Sequence, residues 1–376
     1  MTDATAPDIP EQKEQVRVWD IWVRLFHWSL VACISAAAVT GFLLGASWIA
    51  LHIAAGLAAV ALVLARIVWG FFGPTHARFA DFLRTPSEIL SHLKGKDAGR
   101  HLGHNPAGGL MMLALMAVIL MLGMSGLVGL GGALRTGPLL SLPYATGEVG
   151  LELHETLAVL LLVMVLAHVA AAIFESRRSR ENLVRSMVTG TKESRPGDHT
   201  SYPVQAHPRI AILLIAILAG TAVLLTEADT QTPMGVPVAE LDETFMDECT
   251  ACHLAYHPSL LSGTEWRSIM ADLEEHYGED ASFDTETTKQ ITDWLLAHDA
   301  SNVQTRPAHL FAGNLRPSNG SMTETRAWNH LHEDVSNERF LRAPVYSQAN
   351  CSACHKDAEA GWFSPFHIRI PKETSK

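Results

Sequence analysis

Two five-residue segments, Cys249-Thr-Ala-Cys252-His253 and Cys351-Ser-Ala-Cys354-His355, set two thiols three positions apart with a histidine directly after the second. Thiols so placed can add to the two vinyl groups of a haem, and the adjacent imidazole can then coordinate the iron on one face. One such match could be half of a zinc knuckle or an accident. Two of them point to covalent haem, with His253 and His355 as proximal ligands. The adjacent histidines also argue against pairing these four cysteines as disulfides. The fifth cysteine, Cys33, lies inside an apolar run and reads as a small buried residue. Spacing leaves the distal ligands open among His257, His276, His298, His309, His330, His332, His367, Met246, Met270 and Met322. His257, one helical turn beyond His253, is poorly placed to reach the far side of that haem.

Four further histidines, His27, His52, His154 and His168, fall in or at the ends of long apolar runs. Polar groups at membrane depth are costly and tend to be functional. His154 and His168 share one predicted helix, about 21 Å apart in rise and within about 40° of the same face. One helix thus offers two iron ligands at two depths. His27 belongs near the cytoplasmic start of the first helix and His52 near the outer end of the second. Depth then selects the pairs, His27 with His168 and His52 with His154, as ligands of two b haems stacked across a helical bundle. Iron held by two histidines has no open position, which suits electron transfer rather than oxygen chemistry.

The elements that must position these residues are five predicted membrane helices, roughly Val23–Ala46, Trp48–Phe72, Gly108–Leu134, Leu151–Phe174 and Arg209–Leu225. No charge lies between Arg24 and Arg66, a run too long for one span, so a tight turn is expected near Gly45–Trp48. The first 15 residues are polar and acidic with no cleavage site, so the first apolar segment is read as an uncleaved anchor. Basic residues gather before the first helix (Lys13, Arg17, Arg24), in the second loop and in the fourth, whereas the third loop has only Arg135. The positive-inside rule puts the N-terminus in the cytoplasm and, after five spans, everything beyond residue 226 outside.

Composition breaks at the same place. The chain is 48% hydrophobic and 18% charged over 376 residues, and its long apolar runs all precede residue 226. From Glu227 onward there are 24 acidic against 11 basic residues, leaving 15 against 17 before it. An acidic outer domain excludes nucleic acid as a partner and favours basic ones. The expected organisation is a tail (1–15), a four-helix domain (16–190), a fifth transmembrane helix (207–226), a linker (227–239) and a mostly helical soluble domain (240–376). The class is all-α. Within the soluble part, Leu260–His276 and Thr285–His298 have helical apolar spacing, and the Pro- and Gly-rich stretch Arg306–Gly320 reads as loop.

The stretch ECTACHLAYHPSLLSGTEWRSIMADLEEHYGEDASFD, with TETRAWNHLHEDV, ANCSACHKDAEAGWF and IRIP, resembles the bacterial dihaem cytochrome c family over residues 240–371. The resemblance implies two bis-histidine c haems, with His276 and His332 distal and His330 the competitor for the second. VRVWDIWVRLFHW, ARIVWGFFGPTHARFADF and HLGHNPAGGLMMLALM resemble the prokaryotic cytochrome b561 family over residues 16–190. This family is related to the cytochrome b subunits of nickel-iron hydrogenases and formate dehydrogenases. The resemblance implies the same four b-haem ligands and electron exchange with quinone. It further implies a quinone site near the inner haem in an Asn-x-x-Gly-like loop, matched by Asn105 and Gly108 with His104 adjacent. Arg24 and Arg66 could pair with haem propionates or serve as topology charges.

The expected function is electron transfer in a bacterial inner membrane, between quinone, two b haems, two c haems and a periplasmic redox protein. Dihaem cytochromes of this type resemble electron donors to small haem proteins that bind oxygen or nitric oxide. Two alternatives stand beside this reading. One is a reductase with an open c haem. The other is the membrane subunit of a larger dehydrogenase.

Overall fold

The computed structural model describes residues 15–94, 96, 100–195, 204, 206–227, 235–237, 241–251, 253–313 and 321–371. Five long helices dominate the first two-thirds: α1 (Ile21–Phe42), α2 (Ile49–Phe72), α3 (Pro106–Gly132), α4 (Tyr144–Ser179) and α5 (Pro208–Glu227). The first four are long and apolar enough to cross a membrane. Large side chains such as Trp22, Leu166 and Phe174 stay exposed along them, as on a surface solvated by lipid tails rather than water.

Local chemistry fixes the helix ends. The Asp20 carboxylate accepts from the backbone N–H groups of Trp22 (2.8 Å) and Val23 (3.1 Å), capping α1, and from the Trp69 indole of α2 (3.2 Å). The expected turn between α1 and α2 is a single 3-10 turn, Ala46–Trp48, where the Trp48 N–H reaches the Gly45 carbonyl. Helix α4 runs well beyond its apolar stretch at both ends, 36 residues in all. Arg177 and Arg178 in its last turn complement the helix dipole there.

The chain forms two compact units. In one, Val18, Trp19, Val23, Trp69, Ala77, Leu102 and Ala211 form one core, and Ala59, Val63, Met116, Val118, Ile119, Leu157 and Leu161 form another, against which Cys33 packs. A two-stranded antiparallel sheet closes this unit: β1 (Gln15–Arg17) pairs with β2 (Thr191–Glu193). Three-residue strands carry no readable alternation, so the sequence does not announce them. Arg100 and Lys192 pair with Glu181 beside the sheet.

The other unit combines residues 37–54 and 124–155 with the C-terminal domain. Two expectations for that domain are corrected. Leu260–His276 is not one helix. The helix is Gly263–Ala271, opened by a capping box between Ser262 and Glu265 and ended at Asp272, so His276 falls outside it. Arg306–Phe311, expected as loop, is a short helix capped by Thr305 with Pro307 in its first turn. Residues 314–320 of that stretch lie outside the described residues, as do 1–14 of the expected tail and most of the expected linker. The core of Phe245, Trp266, Ile291 and Leu295 meets a second, of Leu260, Phe311, Trp328 and Phe340, through Tyr256 and Met322, which pack on both.

Candidate functional site

Six of the eight predicted ligand histidines form facing pairs of one spacing. The rings of His52 and His154 are 6.0 Å apart between centroids, those of His253 and His276 are 6.2 Å apart, and those of His332 and His355 are 6.1 Å apart. Two metal–nitrogen bonds of about 2 Å each, plus two ring radii of about 1.1 Å, sum to about 6 Å. The gaps therefore fit one iron between each pair.

Hydrogen bonds set the tautomers that ligation needs. The Nδ1–H of His52 donates to the Ala37 carbonyl (3.0 Å), that of His253 to Leu254 (2.7 Å) and that of His332 to Trp328 (2.8 Å). Each bond leaves Nε2 as the free lone pair. His332 caps the helix Arg326–Leu331 and stacks on Trp328 at 4.3 Å, which fixes its ring. Burial lowers the pKa of His276, His332 and His355, and their histidine neighbours lower it further for His276 and His355. Each shift favours the neutral imidazole, the form that can bind a metal. Burial raises the Cys249 and Cys351 thiols to about 11. Cys354 is described and its thiol is free, whereas Cys252 lies outside the described residues.

Glycines make room for the rings of the His52–His154 pair. A Cβ on Gly41 would come within 3.0 Å of the His52 ring, and one on Gly126 within 3.2 Å of His154. Sequence reasoning missed both. A signal existed in the three-residue repeat Gly123, Gly126, Gly129 on α3, a small-residue stripe that lets another helix approach closely. Ser125 and Thr40, hydrogen-bonded to His154 (3.4 Å) and His52 (3.3 Å), were missed as well.

His27 and His168 lie together in the other unit, close enough for their charges to interact. Among the described residues, His27 Nδ1 is buried without a hydrogen-bond partner, and so are both terminal nitrogens of Arg66 and Nε of Arg24. Buried guanidinium nitrogens facing no acceptor mark a place for an anion, and haem propionates are anions. Asn105 is the N-cap of α3. Its Oδ1 accepts from the Gly108 N–H (2.7 Å), and a Cβ on Gly108 would come within 2.9 Å of that oxygen. His104 packs against Trp19 and Phe82, and its buried Nδ1 has no partner among the described residues.

The other candidate distal residues are engaged elsewhere. His330 is exposed and 3.6 Å from Glu333. His298 donates to the Trp294 carbonyl, His309 packs on Tyr144, His367 pairs with Asp357, and Met270 is in the core. Met246 packs against that core and Met322 against both. His257 is buried, and its Nδ1 accepts from both the hydroxyl and the N–H of Ser259.

Family models match both parts of the chain. The prokaryotic cytochrome b561 family model matches residues 18–190, and the dihaem cytochrome c model matches residues 245–363. The chain is a prokaryotic cytochrome b561-type membrane domain fused to a dihaem cytochrome c domain. The dihaem domain is similar to a solved dihaem cytochrome c from Shewanella baltica OS155, at 31% identity over 34% of this chain and 92% of that one, with a TM-score of 0.28. It is also similar to dihaem cytochrome c structures from Rhodobacter sphaeroides. One is 33% identical over 33% of this chain and 99% of the other, with a TM-score of 0.27. A second is 34% identical over 33% and 98%, with a TM-score of 0.28. No curated protein matches. Haem b and haem c are thus the cofactor types, and the role is membrane electron transfer linking the two cytochromes. The b561 domain belongs to the inner membrane and the dihaem domain to the periplasm.

Proposed function

We propose that this fusion passes electrons between membrane quinone and a soluble periplasmic redox protein through two b haems and two c haems. The observation that carries the reading is the repeated spacing of 6.0, 6.2 and 6.1 Å in three histidine pairs. Each haem, when bound, supplies a one-electron carrier whose potential its axial ligands tune. His27 and His168 hold the inner b haem, and His52 and His154 the outer one. In the periplasmic domain His253 and His276 ligate one iron, and His355 and His332 the other. Cys249 with Cys252 and Cys351 with Cys354 form the thioethers. Two such histidines at each c site would leave no iron there open to peroxide or nitric oxide. Arg66 and Arg24 neutralise propionates at the inner site.

Quinone is placed at the inner site, beside the α3 N-terminus that Asn105 and Gly108 shape. Helix α5 is the fifth crossing, returning the chain to the periplasm, and the domain limits are those drawn above. The acidic periplasmic domain selects a partner with a basic face, of the class of small haem proteins that bind oxygen or nitric oxide. Opposite charges steer such an encounter, so its association rate should fall as salt rises.

The test is the purified chain in lipid nanodiscs. A quinol should reduce both b-type and c-type absorbance, and carbon monoxide should leave the reduced c-type spectrum unchanged. Reduction confined to the b-type bands would overturn the conduit, and a large carbon monoxide shift would overturn the all-histidine ligation.

A further inference from the structure

The two c-haem sites are not equivalent with respect to the membrane helices. The turn Ala46–Trp48 packs against the segment Pro365–His367. Trp48 is four residues, one helical turn, before His52. Beside that turn, a Cβ on Gly45 would lie 3.7 Å from the carboxylate of Asp334, two residues after His332. The segment that meets the turn is hydrogen-bonded directly to the second haem motif. The Lys356 N–H donates to the His367 carbonyl (3.2 Å), the Arg369 N–H donates to the Cys354 carbonyl (2.8 Å), and His355 bridges Ile368. Both ligands of the second site are thus tied to the turn that leads into His52.

The first site is tied instead to the interior of its own domain and to the second site. The His253 ring lies 5.4 Å from that of Tyr256. Tyr256 packs on both cores of the domain, and Cys354 of the second motif packs on the second of them. The far ligand of the first site, His276, sits beside Tyr277, which is 63% exposed, and among exposed Glu274, Glu275, Glu279 and Asp280.

We propose that electrons enter the dihaem domain at the His332/His355 site and leave it at the His253/His276 site, with Tyr256 packed between the two. The proposal rests on the electron-transfer function above and adds its order. One electron leaves a ferrous iron at His52/His154 and reduces a ferric iron at His332/His355. It then passes to a ferric iron at His253/His276 and on to an oxidised partner, with no bond made or broken. Tunnelling rates fall steeply with distance, so the site tied to the α1–α2 turn is the acceptor. The rim of carboxylates around His276 then faces the basic partner.

Three measurements on the full-length chain in nanodiscs test this. The double variant Cys351→Ala/Cys354→Ala should lose quinol-driven reduction of the remaining c haem, while dithionite still reduces it. Cys249→Ala/Cys252→Ala should let quinol reduce its remaining c haem faster than the first variant does. Equal quinol-driven rates in the two variants would overturn the order. His332→Met and His276→Met retain the thioethers and label one site each by raising its potential. Stopped-flow reduction should show the His332→Met site reduced ahead of its neighbour and the His276→Met site after it, and the reverse order would overturn the proposal. Independently of electron flow, Ser47→Cys/Phe366→Cys should be joined by a short bis-maleimide within one chain. Failure to cross-link would remove the contact on which the order rests. A wild-type chain whose c haems ignore quinol would overturn the function above, while the cross-link would still report the arrangement.

Discussion

A Cβ built on Gly126 of α3 would come within 3.2 Å of the Nδ1 of His154 on α4. The ring that faces His52 at 6.0 Å therefore stands where it does because α3 carries no side chain at that level. Gly126→Val should push the His154 ring away from His52. The purified variant should lose about half its b haem and keep its c haem, because each b site needs both axial ligands. Pyridine haemochrome analysis, which counts b and c haem separately, reads both quantities. Gly126→Ala asks only a few tenths of an ångström of the neighbour and should retain more b haem than the valine variant.

His332 and His330 share one short segment and differ in what holds them. His332 stacks on Trp328, donates to its carbonyl and faces His355, whereas the His330 ring is exposed and 3.6 Å from Glu333. His332→Ala should open one c site, so that carbon monoxide shifts about half of the reduced c-type absorbance. His330→Ala should leave the spectrum unmoved by carbon monoxide. A shift in the second variant and not the first would transfer the ligand role to His330.

Arg66 is buried on α2, and among the described residues both its terminal nitrogens lack an acceptor. A fixed positive charge beside an iron stabilises the reduced state, which carries one more electron. Arg66→Met should lower the potential of the inner b haem. For a one-electron couple, about 60 mV corresponds to a tenfold change in the redox equilibrium, and a shift of that order is expected. Potentiometric titration of the b-type bands should show one component moved down and the other unchanged. An unmoved pair would place the propionates elsewhere.

The parts of this molecule that are legible in the sequence are those where chemistry or length constrains residue type. CxxCH needs all its residues in one short segment, so both attachment motifs stand out without a fold. Apolar runs of membrane length show four helices directly, and a histidine inside such a run is conspicuous because the solvent there is hydrocarbon. The distal c positions are less legible. His276 sits outside any helix and faces His253 only because the Gly263–Ala271 helix stops at Asp272, a boundary that apolar spacing blurs. The clearance given by Gly41 and Gly126 is invisible locally, since a glycine in an apolar helix reads the same whether lipid or imidazole faces it. The β1–β2 pairing of Val16 with Lys192 joins residues 176 positions apart, and nothing in either tripeptide announces the other.

His257 gives the dihaem domain an acid limit. Its Nδ1 accepts from the hydroxyl of Ser259 (2.8 Å) and from the Ser259 backbone N–H (3.2 Å), and a backbone N–H can only donate. That nitrogen therefore carries no proton in the folded chain. A Cβ on Gly361 would strike the same ring, so His257 fills a space with no slack. Burial, with the charge of His298 behind it, lowers its pKa from 6.5 to about 4. The folded pKa is below the unfolded one, so on acidification the unfolded chain takes the proton first. Stability is unaffected above about pH 6.5 and falls as the pH drops towards about 4, by about 3 kcal/mol in total. His257→Asn keeps an acceptor for the Ser259 N–H, as asparagine does at helix N-caps, but cannot titrate. Denaturant unfolding of the full chain, followed at the c-type Soret band between pH 7 and 4.5, should show a shallower loss of stability in the variant than in the wild type. Parallel curves would assign the acid sensitivity to other groups.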